Sequence, residues 1–353
     1  MKNKKLKVCI IGGGNISNTR HIPALKKLKN IEIVGVMSNS QKSIDKTQKK
    51  HKLANSIIIN NPKNDIKTLK NVNWFKDVDA VVIGVPPRQH YDLVKMCLLL
   101  DKNVLVEKPM LMDEKECDEL IQLSKERNLK FCVMHNFQYA KSMLKLNKII
   151  EDKTYGEIVS ITEMQFTNRD RRLPEWYNDL PLGLFYDEAA HFIYLLERHG
   201  GNIKINDVHS VYTEKKEATP MILTVSANAG KIPVTMLLNM NTPVCQWFYI
   251  VSFKKKIFIY DFFKDILVGI NTDNEHLSMD ILRNDLSFTF QYWFKFIANG
   301  FKMVTGNLLY GHDVVLNNFF NSIRTGNEDK FITADYGRKN VITMNEIAKR
   351  GKK

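Results

Sequence analysis

Two charged pairs in this 353-residue sequence stand where they could do chemistry. The apolar run Val104-Leu105-Val106 ends in Glu107, Lys108 and Pro109. A continuous apolar run is the signature of a strand buried on both faces, and open α/β sheets bind ligands at the carboxyl ends of such strands. Lys108 therefore stands at a ligand edge, where an ammonium can face an oxygen that gains negative charge. Pro109 cannot continue the strand and turns the chain out of the sheet. The second pair is Asp187 and His191, four residues apart and hence one turn from each other on one helix face. An imidazole is readily poised to exchange a proton near neutral pH, and a neighbouring carboxylate raises its basicity and fixes its tautomer. Each pair alone also has a bland reading, as a charged surface loop and as a chance Asp-x-x-x-His.

Upstream, strand 6–11 runs into Gly12-Gly13-Gly14-Asn15-Ile16-Ser17 and then a helix through Leu25. This is a Gly-x-Gly-x-x-Gly fingerprint with Ser17 in third place. Glycines there permit a tight turn and close approach of a pyrophosphate, which free backbone amides and the helix dipole favour. Gly12, Gly14, Asn15 and Ile16 are thus candidate dinucleotide contacts. Strand 31–37 ends in Ser38-Asn39-Ser40, about 20 residues further on, where NAD-binding folds carry an acid for the ribose hydroxyls. Ser38 and Asn39, with Lys42 close by, suit a ribose 2′-phosphate better, so NADP is the expected cofactor and NAD the alternative. The same residues would equally cap a helix starting near Gln41.

The elements that hold these residues alternate. Strand 79–85 closes on Pro86-Pro87 and His90, helix 91–100 leads to the Glu-Lys-Pro strand, and helix 113–128 precedes strand 130–134. Such alternation predicts a doubly wound parallel sheet. Beyond it the pattern changes to a helix over 142–151, an alternating run over 157–167, and strand-like runs at 207–212, 221–227, 234–239, 247–253 and 256–260. The expected fold class is α/β, with a Rossmann domain over 1–130. A second, α+β domain over 131–353 carries a mainly antiparallel open sheet, one face covered and the other available to another subunit. Helices are expected over 313–323 and 336–350.

Lysine and arginine outnumber Asp and Glu by 52 to 38, a formal charge of +14, which favours anionic partners. The lysine clusters (Lys2, Lys4, Lys5, Lys7; Lys46, Lys49, Lys50, Lys52; 254–256) read as solvated runs. Without a helix-turn-helix, zinc-finger or RNA-stacking signature, nucleic acid is not expected. Five cysteines without Cys-x-x-Cys spacing suggest neither disulfides nor zinc, no metal-ligand cluster stands out, and a reducing cytoplasm fits. The apolar stretch after the first lysines stops at Gly12, too short for a leader, and no apolar run reaches the roughly 18 residues of a spanning helix. Over 284–304, Asn284, Ser287, Gln291, Lys295, Asn299 and Lys302 form a narrow polar stripe on an otherwise apolar helix. Burial of its apolar face against the sheet or a subunit is the favoured expectation, and weak peripheral membrane contact the sharper one. Arg169, Arg171 and Arg172 follow strand 157–167 and could hold a carboxylate or pyrophosphate, or form a solvated loop.

Taken in order, Gly12-x-Gly14-x-x-Ser17, Pro86-Pro87 with His90, Glu107-Lys108-Pro109, and Gly183 followed by Asp187-x-x-x-His191 resemble the glucose-fructose oxidoreductase, inositol dehydrogenase and rhizopine-catabolism family (Gfo/Idh/MocA). The likeness runs from Leu6 to about Gly201. It implies a Rossmann domain, a second domain whose open sheet mediates a homo-oligomer (dimer or tetramer), and NAD(P)-linked hydride transfer on a sugar, sugar acid or nucleotide sugar. Lys108 would bond the reacting oxygen, His191 would give or take the proton, and Asp187 would orient substrate. Pro86, His90 and Glu107 would join the cofactor site. Tyr139, Arg171 and Arg172 would join Lys108, Asp187 and His191 around the substrate. Three departures stand out: 135–141 reads His-Asn-Phe-Gln-Tyr-Ala-Lys where the family often has an Arg-rich segment ending in proline, the glycine pair or triplet before the Asp is reduced to Gly183, and Ala189 replaces the glycine usual between Asp187 and His191. The contrasting reading is a non-catalytic dinucleotide-binding sensor or scaffold.

Overall fold

The computed structural model describes residues 5–213, 218–273 and 275–352, so Lys2 and Lys4 lie outside it. The chain forms two units, one of residues up to Asn136 with Gly311–Ile342, the other of Phe137–Tyr310 with residues from Thr343 onward. The boundary thus differs from a cut at residue 130. The last strand of the first sheet lies beyond that cut, and a late segment returns to the first unit.

That sheet contains β1 (Leu6–Ile11), β2 (Ile31–Ser38), β3 (Asn55–Ile58), β4 (Ala80–Ile83), β5 (Asn103–Val106) and β6 (Phe131–Val133), in the order β3-β2-β1-β4-β5-β6. All pairs are parallel. The order reverses between β1 and β4, and the carboxyl ends on either side of such a switch leave a ligand crevice. Its helices are α1 (Ile22–Leu25), α2 (Gln41–His51), α3 (Pro62–Leu69), α4 (Asn73–Lys76), α5 (His90–Leu99) and α6 (Glu114–Glu126). Strand β5 is buried because Val104, Leu105 and Val106 have apolar neighbours on both faces. Strand β3, too short and polar-flanked to announce itself, adds an edge.

The second unit contains α7 (Lys141–Glu151), β7 (Ile158–Phe166), α8 (Leu184–Glu188), α9 (Ala190–Gly200), β8 (Ile203–Val211), β9 (Ile222–Ala229), β10 (Ile232–Asn239), β11 (Gln246–Phe253), β12 (Lys256–Asp261), β13 (Ile266–Asn271) and α10 (Ser278–Val304). Its sheet order is β13-β12-β11-β7-β10-β9-β8, antiparallel except for the β7–β10 pair. On β7, Ile161, Glu163 and Gln165 are buried while Ser160, Thr162 and Met164 are partly exposed, the alternation expected of a sheet covered on one side. Helices α11 (His312–Thr325) and α12 (Ala334–Arg350) complete the chain.

Helix α10 does not bury its apolar face against the sheet. Its polar stripe, not its apolar face, meets the sheet. Asn284 donates to the Asn271 carbonyl, Gln291 exchanges two hydrogen bonds with the Gly269 backbone, Lys295 donates to Leu267 and Asn299 to Lys264 and Asp265. The outer edge of β13 offers unpaired backbone groups, which these side chains satisfy.

Glu163 sits mid-sheet opposite Tyr249 and Met236, 1% exposed, and neither carboxylate oxygen has a hydrogen-bond partner among the described residues. Burial pushes its pKa well above the usual carboxylate range. Because the folded pKa is raised, the stability Glu163 contributes is present in acid and is lost as pH rises past the unfolded value. We expect Glu163→Met to stabilise the protein by about 1–3 kcal/mol at pH 8, with the gain shrinking toward pH 4. Urea unfolding at the two pH values checks this, and a pH-independent difference would contradict it.

Candidate functional site

In the first unit, the glycine turn leaves β1 directly. Gly12 has φ +97°, and a Cβ there would stand 2.4 Å from the Gly84 carbonyl oxygen, so the residue permits both the turn and the close passage of β4. A Cβ on Gly14 would meet nothing within 4 Å, so this side of the turn is open to a ligand. Asn18 braces the turn from behind, donating to the Gly13 and Gly14 carbonyls and to Thr47. Ser17 opens a short π-helical turn, Ser17–His21, before α1.

A cavity of about 200 Å³ lies at the carboxyl ends of the strands, lined by Gly12, Ser38, Asn39, Asn60, Arg88 and Gln89 among others. Capping of α2 falls to Ser40, whose hydroxyl accepts from the Ser43 amide, and this leaves Ser38 and Asn39 facing the cavity. Lys42 is exposed on α2 and is not among the lining residues; the cation that does line it is Arg88, which sequence reading did not single out. The open glycine turn, the strand-end polar groups and the cleft fit a dinucleotide, with Gly12, Gly14, Asn15 and Ile16 along the turn.

Glu107 and His90 sit differently from what a cofactor contact requires. His90 is fully buried between the Pro86-Pro87 turn and the Glu-Lys-Pro turn, with Nδ1 3.0–3.1 Å from the Pro109 and Met110 carbonyls and Nε2 2.9 Å from the Val85 carbonyl, and its one N–H donates to one side or the other. Burial lowers its pKa, against the pull of those carbonyls. Glu107 accepts from His21 Nε2 at 2.8 Å, with His312 Nε2 4.0 Å away. Burial alone would push this carboxyl up, but the His21 hydrogen bond and the charges of His21, His312 and Lys108 hold it at about 2. These three side chains offer ligand atoms within 4.8 Å of one another, a grouping that chain order conceals. At 2.8 Å, however, His21 and Glu107 are closer than the roughly 3.3 Å between ligands on a tetrahedral ion with bonds near 2.0 Å, and the arrangement is that of a buried, directly hydrogen-bonded His–Glu pair. Lys108 follows directly, its amide donating to Glu107 Oε2, and the Lys108–Pro109 peptide is cis.

In the second unit, Asp187 ends up on α8 and His191 on α9, which meet at Ala189. The Ala189 backbone stays helical (φ −69°, ψ −17°), so the one-turn spacing survives the break. Gly183 precedes α8 with φ +57°, and a Cβ there would strike Thr219 Oγ1 at 2.0 Å; that hydroxyl accepts from the Leu184 amide. His191 Nδ1 shares a hydrogen bond with the Tyr194 hydroxyl at 2.9 Å, and Phe137 meets the imidazole edge-on at 4.8 Å. Tyr139 is buried beneath the Arg198 guanidinium, 5.7 Å from its ring centre. Arg171 pairs with the buried Glu188, whose other oxygen accepts from Gln165 and Thr167. Arg172 is exposed. Arg171 also lines a cavity of about 510 Å³ with Cys245, Gln246, Phe263, Lys264 and Asn299.

Against known proteins, residues 6–135 match the oxidoreductase family with NAD-binding Rossmann fold named GFO_IDH_MocA. Oxidoreductase P35 of Formosa agariphila is 26% identical over 208 residues, 55% of this chain and 60% of that protein. Inositol 2-dehydrogenase of Rhizobium meliloti is 27% identical over 128 residues, 36% of this chain and 38% of that protein. The whole chain has the fold of UDP-N-acetylglucosamine 3-dehydrogenase GnnA from Acidithiobacillus ferrooxidans (TM-score 0.71, 14% identity, 99% of this chain and 98% of that one). It also has the fold of the 3-ketoreductase KijD10 from Actinomadura kijaniata (0.76, 13%, 99% and 98%), a structure holding TDP-benzene and NADP. Residues 6–135 thus match the NAD-binding Rossmann domain of the Gfo/Idh/MocA oxidoreductase family, and the chain spans only part of the length of the curated relatives it matches.

Proposed function

We propose that this protein is an NAD(P)-dependent oxidoreductase acting at a hydroxyl or keto carbon of a sugar, sugar acid or nucleotide sugar. One observation carries the reading: the carboxyl edge of the first sheet presents an open glycine turn at β1 and, two strands away on β5, Lys108 behind a locked Glu107. A bound nicotinamide supplies or accepts hydride at its C4. Lys108 then stabilises the substrate oxygen as it becomes alkoxide-like. His191 holds the proton that this oxygen loses or regains, and Tyr194 fixes the imidazole through Nδ1, so that proton exchange runs through Nε2. Asp187 orients substrate beside it. Ser38 and Asn39, with no acid at the end of β2, favour NADP over NAD. Nucleotide sugars are favoured by two structural neighbours, one a UDP-N-acetylglucosamine dehydrogenase, the other a ketoreductase holding a TDP compound.

The test is to identify copurifying dinucleotide by mass spectrometry and then to screen nucleotide sugars and sugar acids for a change in nicotinamide absorbance. No bound dinucleotide and no turnover across the panel would leave the sensor reading in its place. If Arg171 and Arg172 hold a phosphate or carboxylate, Arg171→Gln with Arg172→Gln is expected to raise KM about tenfold or more for a phosphorylated substrate, with a smaller change for a neutral one. Steady-state kinetics with both substrates decides it, and unchanged KM removes these arginines from the site.

A further inference from the structure

Helix α10 is fastened the unusual way round. Its polar stripe is engaged by β13, and among the described residues its outward face carries Leu286, Phe290, Trp293, Phe294, Ile297, Phe301 and Val304 exposed. With Phe294 at 72% and Phe301 at 74% exposure, the apolar area is on the order of 1,000 Å², above the roughly 300–600 Å² of the largest patch on a typical monomer. A patch of that size marks an interaction surface.

We propose that α10 docks the protein on an anionic bilayer surface, lying in the headgroup layer with this face inward. The helix has the composition of an interfacial segment, with Trp and Phe along one side. Among the described residues no helix is long and apolar enough to cross a membrane, so α10 is placed on the bilayer rather than through it. Charge selects the occupant. From Leu286 to Val304 there is no acidic residue, and the two charges are Lys295 and Lys302; Asp280 and Asp285 stay in the first turns. Lys145 and Lys256 lie near enough to lower the Lys295 pKa, after burial, and Lys141, Lys145 and Lys148 are exposed on α7, which packs beside β13. The surroundings of the helix are thus cationic on its sheet-bound side and its outer stretch carries no acid, so anionic headgroups complement it, whereas a second copy would bring like charges together. The 510 Å³ cavity reaches the same helix through Phe296, Asn299 and Met303, and there Arg171 Nε and Gln246 Nε2 are buried donors lacking acceptors among the described residues. A cavity of that kind beside the bilayer suits the acceptor-rich head of an amphiphile.

The proposal does not depend on hydride transfer and is tested without it. The full chain is sedimented with vesicles of phosphatidylcholine containing phosphatidylglycerol, and with phosphatidylcholine alone, at about 50 mM and about 500 mM salt. Wild-type protein is expected to pellet with anionic vesicles at low salt and less at high salt. Phe294→Glu with Phe301→Glu, both side chains pointing outward, is expected to weaken binding at least about tenfold with an unchanged melting temperature. Should that variant fold poorly, Lys145→Glu with Lys148→Glu is expected to weaken pelleting with anionic vesicles alone. Wild-type protein that stays in the supernatant, or pellets equally with neutral vesicles, overturns the proposal; a concentration-dependent dimer dissolved by Phe294→Glu would then assign the face to a second copy.

Discussion

Replacing His191 with Asn is expected to lower turnover by about 10² to 10⁴ while dinucleotide affinity stays nearly unchanged. The reason is division of labour: the glycine turn and the Ser38–Asn39 corner belong to the first unit, and His191 to the second. Asn can still bond the Tyr194 hydroxyl, so the local packing against Phe137 has a polar substitute and the loss reports proton transfer rather than collapse. Lys108→Met should cost a similar factor through lost charge stabilisation. The measurement is kcat with the best substrate of the panel, alongside fluorescence titration of NADPH. Wild-type turnover in His191→Asn would mean that another group moves the proton.

Glu107→Ala is expected to lower both stability and activity, with about 3 kcal/mol lost at neutral pH. It removes the carboxylate between two buried imidazoles and the brace immediately before Lys108. The wild-type pH dependence has a definite sign. Glu107 is held at about 2 in the folded protein against 4.5 unperturbed, so its contribution is present above about pH 4.5 and is lost as pH falls toward 2. Chemical unfolding of wild type and variant at pH 7 and pH 3 should show the gap narrowing in acid. A gap that stayed constant, or a variant as stable as wild type at pH 7, would mean the ion pair contributes nothing to holding the turn.

Much of the architecture could be read from residue order because its signals are local. The apolar run ending at Glu107, the glycines after β1 and the alternation along β7 each depend on neighbours within a few positions. What escaped reading involved partners distant in the chain or short in extent. His21 and His312 converge on Glu107 from opposite ends of the sequence, and neither carries a spacing signature. His90 looked like a ligand contact because it follows two prolines at a strand end, yet its ring is consumed by backbone carbonyls. The polar stripe of α10 was visible but its direction was not. Periodicity reports that a helix has two faces, whereas which face meets a sheet edge depends on whether that edge needs hydrogen bonds or apolar cover. Strand β13 was missed for a related reason: Ile266–Asn271 is a short apolar run whose edge position shows only once α10 satisfies it.

The first unit is assembled from two segments far apart in the sequence, and this has a consequence for biogenesis. Strand β6 finds its outer neighbour only at Thr333, with the Val133 amide donating to the Ile332 carbonyl, and the Glu107 cluster is closed by His312. A nascent polypeptide that has left the ribosome as far as Tyr310 therefore exposes the margin of β6 and lacks an imidazole of its buried cluster. Synthesis of Phe137–Tyr310, most of the second unit, intervenes before either is supplied. During that interval the uncovered margin is an unpaired strand edge open to wrong partners, which chaperone shielding would cover.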